Sequence, residues 1–226
     1  MIPIRDTIPA QRTAWVVRLL VLANIAVFLI EWRQGPALEA FLYRFGVVPA
    51  SWMSGAPGEG PAWIGRLIPL VSSQFLHGGL MHLGFNMLYL WIFGDNVEDR
   101  MGHGRFVVLY LGSGILAVAA QVLANPHATA PMIGASGAIA GVLGAYFLSF
   151  PFARVVTLLP LGLMWRTVEL PAFAFLGVWF LLQWLQGAMT MGHVADVGGV
   201  AWWAHIGGFV GGLLFAVILR PRRQYG

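Results

Sequence analysis

The chain has 226 residues, of which 58% are hydrophobic and 10% are charged, and its mean hydropathy is +0.76. Because soluble globular domains carry about 25% charged residues, this composition excludes a water-soluble domain and predicts a polytopic membrane protein. The formal net charge is +4, all thirteen Lys and Arg residues are arginine, and they form no basic stripe that would suit a nucleic-acid partner. The chain has no cysteine, which excludes disulfides.

Six apolar stretches follow one another along the chain. They predict six membrane-spanning helices, since a helix needs about 20 apolar residues to cross about 30 Å of hydrocarbon. The predicted spans cover residues 14–30, 72–93, 106–124, 136–150, 171–189 and 200–219. We therefore expect one membrane domain over residues 1–226, with an all-α fold built as a six-helix bundle.

Two of the apolar blocks are shorter than the others. The blocks Leu80–Phe93 and Ser136–Phe150 have 14 and 15 residues, so at about 1.5 Å per residue each covers only about 21 to 23 Å. Each must therefore begin below one membrane surface or be extended by irregular backbone. Irregular backbone at membrane depth is stable only where protein or a water-filled cavity satisfies its amides. These short blocks therefore predict a cavity.

The arginines outside the spans predict that both chain ends are cytoplasmic, because cytoplasmic loops are enriched in basic residues. Treating one short block as re-entrant would place the C-terminal arginines outside, which we disfavour. In the preferred topology the outer side receives Arg33, Arg44 and Arg66, and the inner side receives Arg5, Arg12, Arg100, Arg105, Arg154, Arg166, Arg220, Arg222 and Arg223.

The connection between the first two spans, Trp32–Pro69, is long and contains glycine, proline and an apolar centre at Phe41–Val48. This composition suits an element that lies in the membrane interface. It suits a plain solvated loop equally well, so the sequence leaves both open.

Polar residues that are unusual for membrane helices begin the second, fourth and sixth spans. All three spans start from the outer side in the predicted topology, so these residues share one depth. A hydrogen bond to a neighbouring helix accounts for each residue alone, whereas their common depth favours a functional site. The residues are His77, His82, Asn86, Ser136 and His205.

In the second span, His82 and Asn86 are four residues apart and share one helix face. His77 lies five residues before His82, which on a helix is a turn of roughly 140° away from that face. Gly78 and Gly79 also separate it from the helix. We interpret His77 as a structural residue that holds the loop before the helix.

The segment Gly134–Gly137 places Ser136 where a loop becomes a helix. The first turn of a helix has free amides and the positive end of the dipole, which suits an oxyanion. A serine N-cap is the alternative interpretation of Ser136.

Glycines follow in the fourth span and in the sixth span, where Gly208 and Gly212 come soon after His205. Small residues about one helical turn apart let two helices approach closely in lipid. If the two spans meet on these faces, Ser136 and His205 meet at their outer ends. A serine within hydrogen-bond reach of a histidine is a nucleophile with its base.

Three ordered motifs on these spans resemble those of the rhomboid intramembrane serine proteases. The similarity extends over roughly Ile68 to Leu219, and any one of the motifs alone would be weak. The motifs are His77-x4-His82-x3-Asn86, Gly134-x-Ser136-Gly137 and Ala204-His205-x2-Gly208-x3-Gly212.

The resemblance implies a six-helix bundle of rhomboid type that hydrolyses a peptide bond in or near a transmembrane segment of a membrane-protein substrate. Ser136 would be the nucleophile and His205 the general base. His82, Asn86 and the Ser136 amide would stabilise the oxyanion, while His77, Gly134, Gly137, Gly208 and Gly212 would support the site. The implied partners are transmembrane substrates and membrane lipid. Short tails without a transit-like segment favour a multi-pass protein of a prokaryotic plasma membrane.

The resemblance has two departures. The family often has a Trp-Arg pair before the first motif histidine, where this chain has Ile68 and Pro69. Some members have a tyrosine four residues after the serine that stacks on the catalytic histidine, and here that position is Ala140. The sequence thus leaves open what orients His205, as it leaves open the oligomeric state. The family also suggests substrate access between the second and fifth spans, with Trp179 at the gate.

Other functions fit the sequence less well. An inactive rhomboid-like protein that only binds clients usually lacks the serine or the histidine, and both are present. A small transporter or channel would show repeated halves or an intramembrane charge path, whereas the candidate charges are Arg18 and Glu31 near the ends of the first span. We expect no cofactor, and no metal, because there is no H-E-x-x-H motif and no carboxylate accompanies the histidines.

Overall fold

The computed structural model describes residues 1–54, 62–161, 164–190 and 199–219. Arg220, Arg222 and Arg223, which contributed to the predicted orientation, lie outside these ranges. The described residues are mostly helical and form α1 (Trp15–Trp32), α2 (Leu38–Phe45), α3 (Pro49–Ser54), α4 (Ala62–Ser72), α5 (Leu80–Met101), α6 (His103–Ala124), α7 (Ser136–Ser149), α8 (Ala172–Thr190) and α9 (Trp202–Ile218), together with β1 (Ile2–Asp6), β2 (Arg154–Leu161) and β3 (Met164–Pro171).

Each predicted span overlaps one of these helices, namely α1, α5, α6, α7, α8 and α9. Three of them, α1, α6 and α8, are long and apolar enough to cross a bilayer, and α7 and α9 are shorter apolar helices. The count of six spans and the orientation of the chain ends remain predictions. Helices α2, α3 and α4 occupy much of the long first connection.

Helix α7 lies at the centre of the bundle, and all ten residues from Gly137 to Tyr146 are buried. Helix α9 packs against it through glycines. A Cβ atom on Gly212 would overlap the carbonyl oxygen of Gly141, and one on Gly208 would overlap that of Gly137. Only hydrogen fits at these positions, so the two helix backbones are in direct contact.

Helix α5 is longer than the sequence predicts. The apolar block ends at Phe93, but the helix continues through polar residues to Met101 and has 22 residues. The buried Glu98 carboxylate accepts hydrogen bonds from the amides of Val16 and Val17, at 2.9 and 2.8 Å. These amides lie in the first turn of α1, where helical partners are missing. The prediction of a short second helix is wrong because the polar end of α5 is stabilised by contacts with the start of the chain.

The fold is mostly helical, as predicted, but it is not exclusively helical, because the chain contains a three-stranded antiparallel sheet in the order β1-β2-β3. Strands β2 and β3 form a hairpin, and β1 pairs with β2 from Ile2 opposite Leu158 to Asp6 opposite Val155. The alternate β2 residues Val155 and Thr157 are fully buried, as expected for a strand with one face packed on the protein. Strands β2 and β3 follow the C-terminal end of α7, which is the end away from Ser136.

We predict that Gly212→Ala lowers the stability of the protein. The added methyl group meets the Gly141 backbone, which cannot rotate away, and overpacking of this kind costs about 1–3 kcal/mol. Thermal unfolding in detergent measures the change. Gly177→Ala on α8 is the matched control, because a Cβ there meets nothing within 4 Å. Equal melting temperatures for the two variants would show that the contact between α7 and α9 tolerates a side chain.

Candidate active site

Ser136 and His205 lie in the first turns of α7 and α9, the two helices that are in backbone contact. Although 69 residues separate them in sequence, the Oγ of Ser136 lies 2.8 Å from the Nε2 of His205. This distance is that of a hydrogen bond between a hydroxyl group and an imidazole nitrogen.

The other ring nitrogen of His205 determines the direction of this hydrogen bond. Its Nδ1 lies 2.7 Å from the side-chain Oε1 of Gln183 on α8. An amide oxygen can only accept, so Nδ1 carries the hydrogen and donates it. Nε2 is then the unprotonated nitrogen, and the Ser136 hydroxyl donates to it. A neutral histidine in this tautomer is ready to accept the serine proton.

Two tryptophans pack around the His205 ring. Trp179 lies against its face, with ring centroids 5.8 Å apart and planes inclined by 35°, and Trp202 meets it edge-on at 6.2 Å. Trp179 also packs beside Phe209, one turn along α9. The sequence left open what orients His205, and in the structure its neighbours are Gln183, Trp179 and Trp202. The sequence analysis missed Gln183, although a glutamine inside an apolar span was a usable signal.

His82 lies beside Ser136 across Gly134. A Cβ atom on Gly134 would lie 2.8 Å from Cε1 and 3.0 Å from Nε2 of His82, and 3.7 Å from the Ser136 Oγ. Gly134 also has φ of +129°, which side chains rarely adopt. The Gly78 amide donates to Nδ1 of His82 at 3.3 Å, so Nε2 carries the hydrogen. His82 therefore presents a donor near the serine hydroxyl.

Asn86 follows His82 by one turn on α5 and is buried. Its Nδ2 has no hydrogen-bond partner among the residues that the structure describes. Leaving a buried amide donor unpaired costs about 1–3 kcal/mol, and such a donor calls for an explanation. An acceptor that a ligand brings would satisfy it. The amide of Ser136, the first residue of α7, also lacks a partner within its helix.

His77 is held by residues away from the serine. Its backbone amide donates to both carboxylate oxygens of Glu31, at 3.0 and 3.2 Å. Its ring Nδ1 lies 3.2 Å from the Phe75 carbonyl oxygen, and the ring meets that of His82 edge-on at 5.2 Å. These contacts fix the loop before α5 to α1 and support the ring of His82.

Comparison with known proteins identifies relatives of this chain. The family model described as the rhomboid domain matches residues 64–222. The chain is 32% identical to rhomboid protease GluP of Bacillus subtilis over 88% of its own length and 34% of that protein. It is 29% identical to rhomboid protein 1, mitochondrial, of Saccharomyces cerevisiae over 85% of its length and 49% of that protein.

A third relative, RHOMBOID-like protein 5 of Arabidopsis thaliana, is 27% identical over 98% of this chain and 73% of its own length. The chain thus spans between a third and a half of the length of the first two relatives and most of the third.

We predict that a fluorophosphonate reagent forms a covalent adduct with Ser136. In this reaction His205 would accept the hydroxyl proton as Oγ attacks phosphorus and the phosphorus–fluorine bond breaks, which releases fluoride. Mass-spectrometric peptide mapping of the labelled protein in detergent locates the adduct. His205→Ala should lose the label, whereas Ser149→Ala at the other end of α7 should keep it. An adduct at another serine in the wild-type protein would show that Ser136 is not the activated hydroxyl.

Proposed function

This chain belongs to the rhomboid family, and we propose that it is an intramembrane serine endopeptidase that hydrolyses peptide bonds in or near transmembrane segments of membrane-protein substrates. It is an integral membrane protein, as the rhomboid domain and the apolar helices indicate. The observation that carries the proposal is the 2.8 Å hydrogen bond between Ser136 and His205, with the Nδ1 of His205 engaged by Gln183.

In the proposed acylation step, the Oγ of Ser136 attacks the carbonyl carbon of the scissile peptide. The new carbon–oxygen bond forms as the hydroxyl proton passes to Nε2 of His205. The carbonyl oxygen becomes an oxyanion. When the intermediate collapses, His205 gives the same proton to the amide nitrogen, the carbon–nitrogen bond breaks and the amine product leaves. Ser136 is then esterified to the other half of the substrate.

Deacylation repeats these steps with water as the nucleophile. His205 takes a proton from water as the oxygen attacks the ester carbon, and then returns it to Oγ of Ser136 as the carbon–oxygen bond to the serine breaks. The products are a free carboxylic acid and the regenerated serine. All of these transfers use protein side chains and water, so the proposed reaction uses no cofactor and no metal.

Three donors are suited to stabilise the oxyanion in both steps. They are Nε2–H of His82, Nδ2–H of Asn86 and the amide of Ser136, which come from α5 and from the start of α7. Hydrogen-bond donors that are already oriented stabilise the developing charge most effectively, because they need no reorganisation at that moment. The unpaired Nδ2 of Asn86 supports this role, since an oxyanion supplies the acceptor that it lacks.

The proposed substrate has to present a peptide bond to a serine that is recessed within a bundle. In a continuous helix every interior carbonyl is bonded within the helix, so the substrate must unwind locally. We therefore expect cleavage near helix-breaking residues, with a small residue before the cut, because Gly134 and its neighbours leave little room. In the predicted orientation the site lies toward the outer side of a prokaryotic plasma membrane, with both chain ends in the cytoplasm.

We predict that Ser136→Ala and His205→Ala each abolish cleavage of a reporter transmembrane substrate, because one removes the nucleophile and the other its base. Cleavage by purified protein in liposomes, followed on gels, measures the loss. His127→Ala, which changes an exposed histidine, should retain full activity. Unimpaired cleavage by either folded active-site variant would remove the assignment of this chain as a serine protease with a Ser136–His205 pair.

We also predict that Asn86→Ala and His82→Ala lower kcat, since each removes an oxyanion donor. The loss of one such donor costs on the order of 10²-fold in kcat, and less where the remaining donors compensate. Steady-state kinetics in detergent at saturating substrate measure kcat, and Met81→Ala on the exposed part of α5 is the control. Unchanged kcat in both variants would reassign the two residues to helix packing.

A further inference from the structure

We propose that Gln183 is a positioning residue that selects the catalytic tautomer of His205 and fixes the orientation of its ring. The inference rests on the proposed function, because it assigns His205 the role of general base. It concerns α8, a helix that supplies neither the proposed nucleophile nor an oxyanion donor.

The side chain of Gln183 is held in one orientation by its own helix. It is buried, and its Nε2 donates to the Trp179 carbonyl oxygen one turn earlier, at 3.3 Å. Since the amide nitrogen is engaged there, the amide oxygen is the atom that faces His205. Its distance of 2.7 Å from Nδ1 is that of a short hydrogen bond. The acceptor at Nδ1 is therefore fixed independently of His205.

The choice of tautomer decides whether the pair can react. If Nε2 carried the hydrogen, it would have no lone pair for the Ser136 proton, and His205 could not act as its base. The hydrogen bond made by one ring nitrogen sets the protonation of the other. An acceptor at Nδ1 keeps the hydrogen on that atom and leaves Nε2 free. In the part of the chain that the structure describes, Gln183 is the side-chain acceptor bonded to Nδ1.

Helix α8 also supplies the aromatic face against His205. Trp179 and Gln183 are four residues apart and so lie on the same side of the helix. One packs on the ring face and the other bonds its edge. Position 140, where a family tyrosine would stack on the histidine, is a buried alanine. The orientation of His205 thus depends on α8, and alignment of the Ser136–His205 pair requires that α8 stays packed on α9.

The first test compares cleavage kinetics of Gln183→Met and Gln183→Glu. Methionine keeps the length of the side chain but has no strong acceptor. We expect kcat to fall by about 10- to 100-fold, by analogy with the loss of a partner that orients a metal-binding histidine. KM should change little, because the Gln183 side chain is buried against His205. Glutamate restores an acceptor oxygen and should recover kcat, with a lower melting temperature. Gln186→Met, on the exposed side of α8, should match the wild type.

The second test reads the tautomer directly. In ¹⁵N-histidine NMR spectra of the detergent-solubilised protein, the His205 signals are those that disappear in His205→Ala. We expect the wild type to show the Nδ1–H form and Gln183→Met to show a mixture of both tautomers. If Gln183→Met does not fold, Gln183→Asn keeps the amide but withdraws it by one methylene, and it should show the same shift with a reduced kcat.

The outcomes separate this inference from the proposed function. If Gln183→Met or Gln183→Asn folds with wild-type kcat and an unchanged tautomer, the inference is overturned while the protease assignment stands. A loss of kcat with an unchanged tautomer and no recovery in Gln183→Glu also overturns it, because Gln183 then acts by packing alone. If the wild type itself does not cleave, the proposed function fails, and the NMR comparison still tests the hydrogen bond.

Discussion

The glycine contact between α7 and α9 is the constraint on which the candidate site depends. Ser136 and His205 each lie in the first turn of their helix, so the separation of the two helix axes fixes the distance between Oγ and Nε2. Side chains between the helices would move the axes apart and break a hydrogen bond of 2.8 Å. In lipid, where burying apolar surface gives little driving force, close backbone approach also supplies much of the packing energy between helices. The same glycines thus hold the bundle together and set the geometry of the site.

At the other end of α7 the bundle is fixed by polar contacts. The Asp6 carboxylate at the end of β1 accepts hydrogen bonds from the hydroxyl of Tyr146, at 2.6 Å, and from the side-chain amide of Asn96, at 2.7 Å. Burial raises the pKa of Asp6, because removing an ionised carboxylate from water costs free energy. Through these bonds the first strand joins the last turn of α7 to α5. The helix that presents Ser136 is therefore anchored at the end away from the serine.

Sequence reasoning could group the candidate site residues because they follow local spacing. His82 and Asn86 are one turn apart, and Ser136 and His205 each open an apolar stretch, so position along the helices was enough to place them at one depth. The sheet was not predictable in this way, since β1 pairs with residues about 150 positions later and an apolar strand of eight residues resembles a short helix in composition. The polar end of α5 was missed for a similar reason, because the partners of Glu98 lie in α1, about 80 residues earlier in the chain. Gln183 was missed because its partner lies on another helix, 22 residues away.

The neutral acceptor beside His205 suits a site at membrane depth. In a water-filled cleft a carboxylate both orients the catalytic histidine and stabilises it once it is protonated. Within a bilayer a charged carboxylate costs about 2.5–3.5 kcal/mol on insertion scales, and it would stay ionised while the histidine is neutral. The Gln183 amide orients the ring without that cost, but it offers no full charge to the imidazolium. In the proposed mechanism, more of the transition-state stabilisation then falls on the three oxyanion donors, which are His82, Asn86 and the Ser136 amide. Among the residues that the structure describes, the side chain bonded to Nδ1 of His205 is an amide and not a carboxylate. In the proposed enzyme, this neutral partner and the number of donors from α5 and α7 are two parts of one electrostatic solution to catalysis inside a membrane.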